Sequence, residues 1–464
     1  MIDLGAIDVL VLGAGNAGLS AALVARQHGK RVVVLEAAPK HMRGGNSRHT
    51  RNCRCMHAEP TAILTESYPE DEYFADLMRV TGGETNEELA RLVIRQSVHC
   101  PEFMGRYGVR FQPSLSGTLQ LSRTNAFYLG GGKALVNEFS AAAERAGIAI
   151  VYDAVVDGIV LDGDCFKSVA ATIAGVPASV SAKVLVAASG GFEANFGWLE
   201  EAWGPIAGNF LCRGTPYNTG KVLKSLLACG VQRIGDPTQC HAVAIDARAP
   251  KFDGGIVTRL DCVSLGIVVN KHAHRFYDEG EDFWPKRYAI WGRLVAQQPD
   301  QIGYSVIDAK AIGAFMPSVF PAFRADTIGE LATQVGLPAD ALAATVSAFN
   351  DAVRPGRFDH TILDDCGTEG LAPNKTHWAR RIDTPPFFAY PLRPGITFTY
   401  LGVGVDATAR ILMADGLPSQ NMFAAGEIMA GNVLGKGYLA GTGMTIGSVF
   451  GRLAGEGAGR HGRH

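Results

Sequence analysis

Apolar residues along this 464-residue chain fall into short unbroken runs that end in glycine-rich turns, with helix-period stretches between them. Residues 9–12 (VLVL) form one run and residues 32–35 (VVVL) another, and helix formers fill the interval from Asn16 onward. That order predicts strand, tight turn, helix and strand. An unbroken apolar strand is buried on both faces, as in a parallel sheet covered by helices. Across residues 70–107, Leu77, Val80, Leu89, Leu92, Val93 and Phe103 predict two or three helices broken at Gly82-Gly83. A helix from Ala134 to about Ala146 follows Gly130-Gly131-Gly132-Lys133, a turn that reads equally as phosphate-facing or as a plain helix start. Residues 148–152, 158–161 and 183–188 are strand-like, the last running into Ser189-Gly190-Gly191.

After Cys240 the pattern changes. A strand at 267–270 leads through an aromatic, basic stretch (Phe283, Trp284, Lys286, Arg287, Tyr288, Trp291) to two helices, one opening on a Thr327/Glu330 capping box and one spanning 338–353. Apolar strands return at 403–406 and 421–427, before a helix of small residues over 435–451. Because the first pattern resumes, the middle reads as an insertion, giving three segments: 1–239, 240–398 and 399–464. The fold class is α/β, a discontinuous Rossmann-like nucleotide domain with an inserted α+β capping domain.

The first turn is the most specific chemical signal. Gly13 permits the turn, Gly15 lets a pyrophosphate approach the backbone, and Gly18 lets helix and strand pack closely. Asn16 and Ala17 open the helix, whose N–H groups face the phosphates. Glu36, followed by Ala37, stands where a ribose hydroxyl needs an acceptor. Gly44, Gly45, Asn46 and Ser47 form a second close-approach loop, for which a surface turn is the plain alternative. Gly190 and Gly426 end strands, and Glu427 follows the latter. Thr442, Gly443 and Met444 start the last helix, whose positive end suits a cofactor that gains negative charge, although close helix packing would also call for small residues.

Length exceeds a single hydrophobic core, so two domains or a large domain with an insertion are expected. Hydrophobic residues at 47% and a net charge of −2 describe an ordinary soluble balance with no basic field for nucleic acid. No apolar run is long enough for a membrane helix and the N-terminus shows no signal pattern, so a cytoplasmic protein is expected. Nine cysteines without CxxC spacing read as reduced thiols, with Cys53-Arg54-Cys55 the nearest to a redox or metal pair. His49 and His57 could attach a flavin covalently, but read better as solvent-exposed loop residues.

Taken together, the opening fingerprint, RGGNSRHTRNCRCMH, RTNAFYLGGGKALVN, AASGGFEANFGW, RFYDEGEDFWPKRYAIWGR and AAGEIMAGNVLGKGYLAGTGMTIG resemble the fumarate reductase and succinate dehydrogenase flavoprotein superfamily over nearly the whole chain. Within it the resemblance is closest to the tricarballylate dehydrogenase subfamily. It implies non-covalent FAD, a mobile cap, and a dicarboxylate or tricarboxylate held between cap and flavin. Gly13, Gly15, Gly18 and Glu36 match the AMP half of FAD, Gly44 to Ser47 the pyrophosphate and flavin region, and Glu427, Gly443 and Met444 the ribityl and pyrimidine side. Thr219-Gly220-Lys221 stands where a family aspartate contacts the ribose, which puts that contact in doubt. His241 and Thr258 fall on carboxylate-holding positions. Arg259 replaces a family glutamate, adding a cation that suits one more carboxylate. Phe398, flanked by Thr399, replaces a second histidine, and Tyr438 replaces a clamping arginine, leaving Lys436 as the nearby cation. Arg287 is the expected acid/base.

The resemblance implies dehydrogenation of tricarballylate to cis-aconitate, with electrons passed to a separate, membrane-associated iron–sulfur protein at the inner membrane face. Hydride loss to the flavin and proton loss to a base are the chemical demands. Three alternatives stay open: a fumarate reductase or succinate dehydrogenase-like activity, a ketosteroid dehydrogenase using the aromatic stretch as an apolar pocket, and a non-catalytic flavoprotein electron carrier.

Overall fold

The computed structural model describes residues 5–114 and 121–462, and the structural statements that follow concern those residues. β1 (Ile7–Leu12) and β2 (Val32–Leu35) lie parallel, Val9 opposite Val32, with α1 (Asn16–Gln27) crossing between them. All of β2 is buried, which explains its unbroken apolar run. Val176–Ala187 and Pro418–Ala424 extend the parallel sheet beyond β1, and Ala149–Val151 extends it beyond β2. Ala154–Asp162 and Cys165–Ile173 continue it as an antiparallel meander on the outer half of Val176–Ala187. The strand expected at 158–161 is thus nine residues long, its ends obscured by alternating exposure.

Helices cover this sheet. α2 (Glu70–Thr81) ends at Gly82, whose φ of 61° is the left-handed stop expected there, and Glu87–Ser97 and Cys100–Arg106 follow. The C-terminal helix Thr442–Arg460 packs along α1 through a stripe of glycines. A Cβ at Gly451 would lie 2.6 Å from the Ala17 carbonyl oxygen, and one at Gly455 2.6 Å from that of Ala21. Small residues are needed there for backbone approach, so close packing and a cavity-facing N-terminus coexist in one helix.

A second, six-stranded sheet is centred on Phe387–Thr399, which pairs with Cys240–Asp246 and Gly303–Asp308, the latter in turn with Ile267–Asn270. Ile328–Val335, with its Thr327/Glu330 capping box formed, and Ala339–Ala352 pack on it through a separate core of Ile267, Val306, Leu331, Val346, Phe349 and Phe387. Leu211–Cys212 joins this sheet from upstream of residue 240. The strand expected at 403–406 does not rejoin the nucleotide sheet: Gly402–Val403 pairs with Arg233–Ile234 in a two-stranded ribbon. Its chain reverses because the Asp406 carboxylate accepts from the Thr408 and Arg410 amides.

Candidate active site

One cavity of about 1620 Å³, including its open mouth, runs from the β1–α1 turn to the second sheet. At its first end Gly13 has φ +102°, and a Cβ there would sit 2.4 Å from the Ala188 carbonyl oxygen. Gly18 does not line the cavity; its Cβ would lie 1.9 Å from the Gly13 carbonyl oxygen, so its role is packing. Gly15 caps α1 without a side-chain hydrogen bond, and Asn16 N donates to Ser47 Oγ at 2.9 Å. Glu36 accepts from Ala14 N and Ala38 N at 2.8 and 2.9 Å, and burial raises its carboxyl above the usual range. Ala17, Ala37, Gly44, Gly45, Asn46 and Gly190 line the same stretch. A glycine-lined trough with a helix N-terminus at one end and an acid at a strand end fits a dinucleotide.

Thr219, Gly220 and Lys221 also line the cavity, Lys221 reaching Asp157 at 3.0 Å. From the C-terminal segment come Gly426, Glu427, Gly443 and Met444, whereas Thr442 is buried behind them near Tyr73. Asn16 Nδ2 donates to Met444 O at 2.9 Å and ties the two ends of the chain together at the site. Glu427 accepts from Thr399 N at 2.8 Å, so Thr399 supports the wall without lining it. Glu193 behind accepts from Asn46 and Asn218 at 2.5 and 2.6 Å. Both acids are raised, first by burial, and the charge of Glu193 raises Glu427 further.

The far end is cationic and aromatic. Arg51, Arg213, His241, Arg259, Trp284, Tyr288, Phe398 and Tyr438 line it. Arg259 is not a free cation: its Nε lies 2.7 Å from Asp261 Oδ1 and its Nη2 donates to Oδ2 at 2.8 Å. Trp284 Nε1 holds the same carboxylate at 2.6 Å. Arg213 uses Nη2 on Thr397 Oγ1 at 3.1 Å, but its buried Nε and Nη1 have no hydrogen-bond partner among the described residues. Burial, then Arg259, pushes Arg213 down to about 10, and the same two causes act on Arg51. His241 stacks on Tyr438 with ring centres 3.9 Å apart and its Nδ1 lacks a partner. Burial, Arg213 and Arg259 hold its imidazole neutral.

Besides Gly18, Thr399 and Thr442, three further expected site residues stand outside the lining. Arg287 is outside the cavity lining, its guanidinium donating to Glu281 at 2.5 Å and to Tyr277 at 2.9 Å, because the short helix Trp284–Arg287 turns Trp284 inward instead. Lys436 is exposed, and Thr258 hydrogen-bonds the Gly255 carbonyl at 2.8 Å one residue away from the lining Arg259. Neither histidine considered for flavin attachment is an exposed loop residue. His49 lines the cavity 2.6 Å from Asp253, and burial pushes it down to about 4. His57 is buried between the Cys55 and Thr65 carbonyls. Arg51 lies within the RGGNSRHTRNCRCMH segment but carried no assigned role there, and Arg213 sits in none of the motifs.

Two ion pairs fasten the segment carrying Trp284 and Tyr288 to α2: Lys286–Asp76 at 2.9 Å and Arg79–Asp282 at 2.9 Å. Asp76 also accepts from Tyr68 and lies 3.9 Å from the fully buried Arg54, whose Nε holds the Ala440 carbonyl beside the cavity.

This fold and cavity define an FAD-dependent oxidoreductase. The chain belongs to the FAD binding domain family, which it matches over residues 8–444. It is 27% identical to a probable fumarate reductase of Shewanella frigidimarina over 98% of its own length and 75% of the relative's. It is 25% identical to the NADH:fumarate oxidoreductase of Klebsiella pneumoniae, of which it covers 48%. The open conformation of a flavocytochrome fumarate reductase superposes with a TM-score of 0.76 at 21% identity, over 99% of this chain and 79% of the other. A 3-ketosteroid dehydrogenase of Rhodococcus jostii superposes at 0.74 with 23% identity, over 98% and 96%. Among the described residues all nine cysteines are free, no acid, histidine or cysteine cluster could hold a metal, and no helix is long and apolar enough to cross a membrane.

Proposed function

We propose that the enzyme dehydrogenates a polycarboxylate at a CH–CH bond, with tricarballylate to cis-aconitate the reading that fits the site best. The observation that carries this is Arg213, a buried guanidinium with two unpartnered nitrogens in the wall that also holds Arg51 and Arg259. A buried cation without a partner is costly, and a carboxylate ligand supplies one. Of these three guanidinia, Arg259 is paired with Asp261, and a cationic wall of this kind suits a substrate bearing several negative charges.

When bound, FAD supplies the hydride acceptor. Gly13, Gly15, Gly44, Gly45 and the N-terminus of α1 would hold its phosphates, Glu36 its ribose, and Glu427, Gly443 and Met444 its other half. Arg213 and Arg51 bind substrate carboxylates and fix which carbon faces the cofactor. Asp261 sets the Arg259 plane, so Arg259 acts as a pre-oriented donor. His241, held neutral, offers a hydrogen bond without adding charge. The second sheet and its helices act as the cap, in keeping with the 240–398 insertion, and Trp284 and Tyr288 close the cavity over the substrate. Electrons then leave to a separate redox protein, with a membrane-associated iron–sulfur protein the expected class.

Anaerobic addition of tricarballylate, succinate, fumarate and a steroid ketone to the purified yellow protein tests the reading. Tricarballylate should bleach the flavin. Bleaching by the steroid ketone alone would favour the aromatic ring-substrate reading, and no bleaching by any of them an electron carrier.

A further inference from the structure

Removing a proton beside a carboxylate requires a group to receive it, and the cationic end of the cavity restricts which group that is. Its ionisable side chains are Arg51, Arg213, His241, Arg259, Tyr288 and Tyr438, while the lining His49 is already committed to Asp253 at 2.6 Å. Guanidinia stabilise a nearby negative charge and oppose a positive one. A neutral base that becomes a cation is therefore disfavoured there, and His241 is held neutral first by its burial and then by Arg213 and Arg259. A phenol becomes an anion when it gives up its proton, so neighbouring guanidinia do not oppose its base form. The arginines do not serve, because each carboxylate they bind holds them as cations.

Of the two phenols, Tyr438 is engaged. Its hydroxyl oxygen accepts from Gly443 N at 3.0 Å, its ring lies flat on His241, and burial holds it protonated. Tyr288 stands differently. Its ring is perpendicular to that of His241, with centres 5.7 Å apart and 85° between planes, and the Arg259 guanidinium lies 4.6 Å from its ring centre. Arg51 and Arg213 line the same end of the cavity. It follows Arg287 directly in the chain, and of the two only Tyr288 lines the cavity.

We propose that Tyr288 is the proton-transfer residue of the dehydrogenation, a conclusion that rests on the polycarboxylate reading. Its phenolate takes the proton from the carbon beside a substrate carboxylate. The electron pair of that C–H bond becomes the second bond of the new C=C, and the hydride on the adjacent carbon leaves with its own pair to FAD, which is reduced. An O–H bond forms at Tyr288 and its proton passes to solvent before the next turnover. In the reverse direction the Tyr288 hydroxyl donates.

The test compares wild type with Tyr288→Phe by anaerobic stopped-flow reduction with tricarballylate across pH. Binding of malonate, which has no CH–CH bond to oxidise, is followed through the flavin spectrum. Tyr288→Phe should keep its flavin and malonate affinity but lose about a hundredfold or more in reduction rate, the scale of general base catalysis. The wild-type rate should rise with pH as phenolate forms, and the variant's residual rate should not. Incorporation of a fluorinated, more acidic tyrosine, which preserves packing, should move the wild-type profile to lower pH. A variant reduced at nearly the wild-type rate with an unchanged profile overturns the Tyr288 assignment alone, as does an unmoved profile with the fluorinated residue. A wild-type flavin that no polycarboxylate reduces overturns the substrate reading and this assignment with it.

Discussion

At Gly15 a Cβ would meet only Ser47 Oγ at 3.3 Å and the Gly44 carbonyl oxygen at 3.5 Å, and its φ of −77° suits any residue. Gly15→Ala should therefore retain most flavin, whereas the branched side chain of Gly15→Val fills the trough and should yield colourless protein. Flavin content after purification decides, and full occupancy in Gly15→Val would remove the fingerprint from cofactor binding. Arg213→Gln should keep flavin yet raise the tricarballylate KM about tenfold to hundredfold, because a charge-assisted hydrogen bond contributes roughly 1.5–3 kcal/mol. A KM unchanged within twofold would take Arg213 out of the substrate site. Acid sensitivity follows from His241 and His49, both held below the ordinary 6.5 by burial. With depressed folded values the unfolded chain binds more protons, so their stability is complete above about pH 6.5 and declines as pH falls toward 4. Glu427 and Glu193, held above the ordinary carboxyl value, act oppositely and lose stability as pH rises. Melting temperature against pH in wild type and His241→Asn should show a shallower acid decline in the variant. The glycines and Glu36 stood out in the sequence because turns and close approaches at fixed spacing leave a readable pattern, and all but Gly18 line the cavity. Arg213 did not stand out, since its position is decided by pairing between strands far apart in the chain. Arg287 was misplaced for a related reason: proximity to RFYDE could not show that a single helical turn would aim Trp284 at the cavity and Arg287 at Glu281.

Among the elements, the contact between α1 and Thr442–Arg460 is the most exacting. Gly447, Gly451 and Gly455 face α1 at four-residue spacing, where a Cβ would approach within 2.6–2.9 Å of its atoms. Gly451→Val should cost at least the 1–3 kcal/mol typical of overpacking, seen as a lowered melting temperature and weakened FAD retention together. Loss of stability with flavin retained would separate the helix contact from the cofactor site. Elements with one strong period were readable: β1, β2, α1, the helices after Glu70 and the capped helix at Ile328 all lie where periodicity put them. The failures are short or edge elements. Residues 402–403 look like a buried strand because they are apolar, yet they pair in a ribbon because Asp406 reverses the chain four residues from its start.

For the molecule as a whole, the pattern changes near where Cys240–Asp246 enters the second sheet, but the ties between the two sheets left no mark in it. Arg79–Asp282 and Lys286–Asp76 join α2 to the segment bearing Trp284 and Tyr288 through groups partly open to solvent. Such pairs weaken with ionic strength. Asp282→Asn should therefore speed exchange of bound malonate and flatten its salt dependence, with little change in flavin content; equal off-rates at low and high salt in wild type would exclude a fastening role. The joining of Asn16 to Met444, which brings opposite ends of the chain to one site, carries a consequence for biosynthesis. A ribosome that has produced the entire β1–α1 turn has still not supplied the residues that complete the trough. Cofactor capture must wait until the last helix has emerged, so stalled chains ending before Gly441 should be recovered without flavin even when their first sheet has folded.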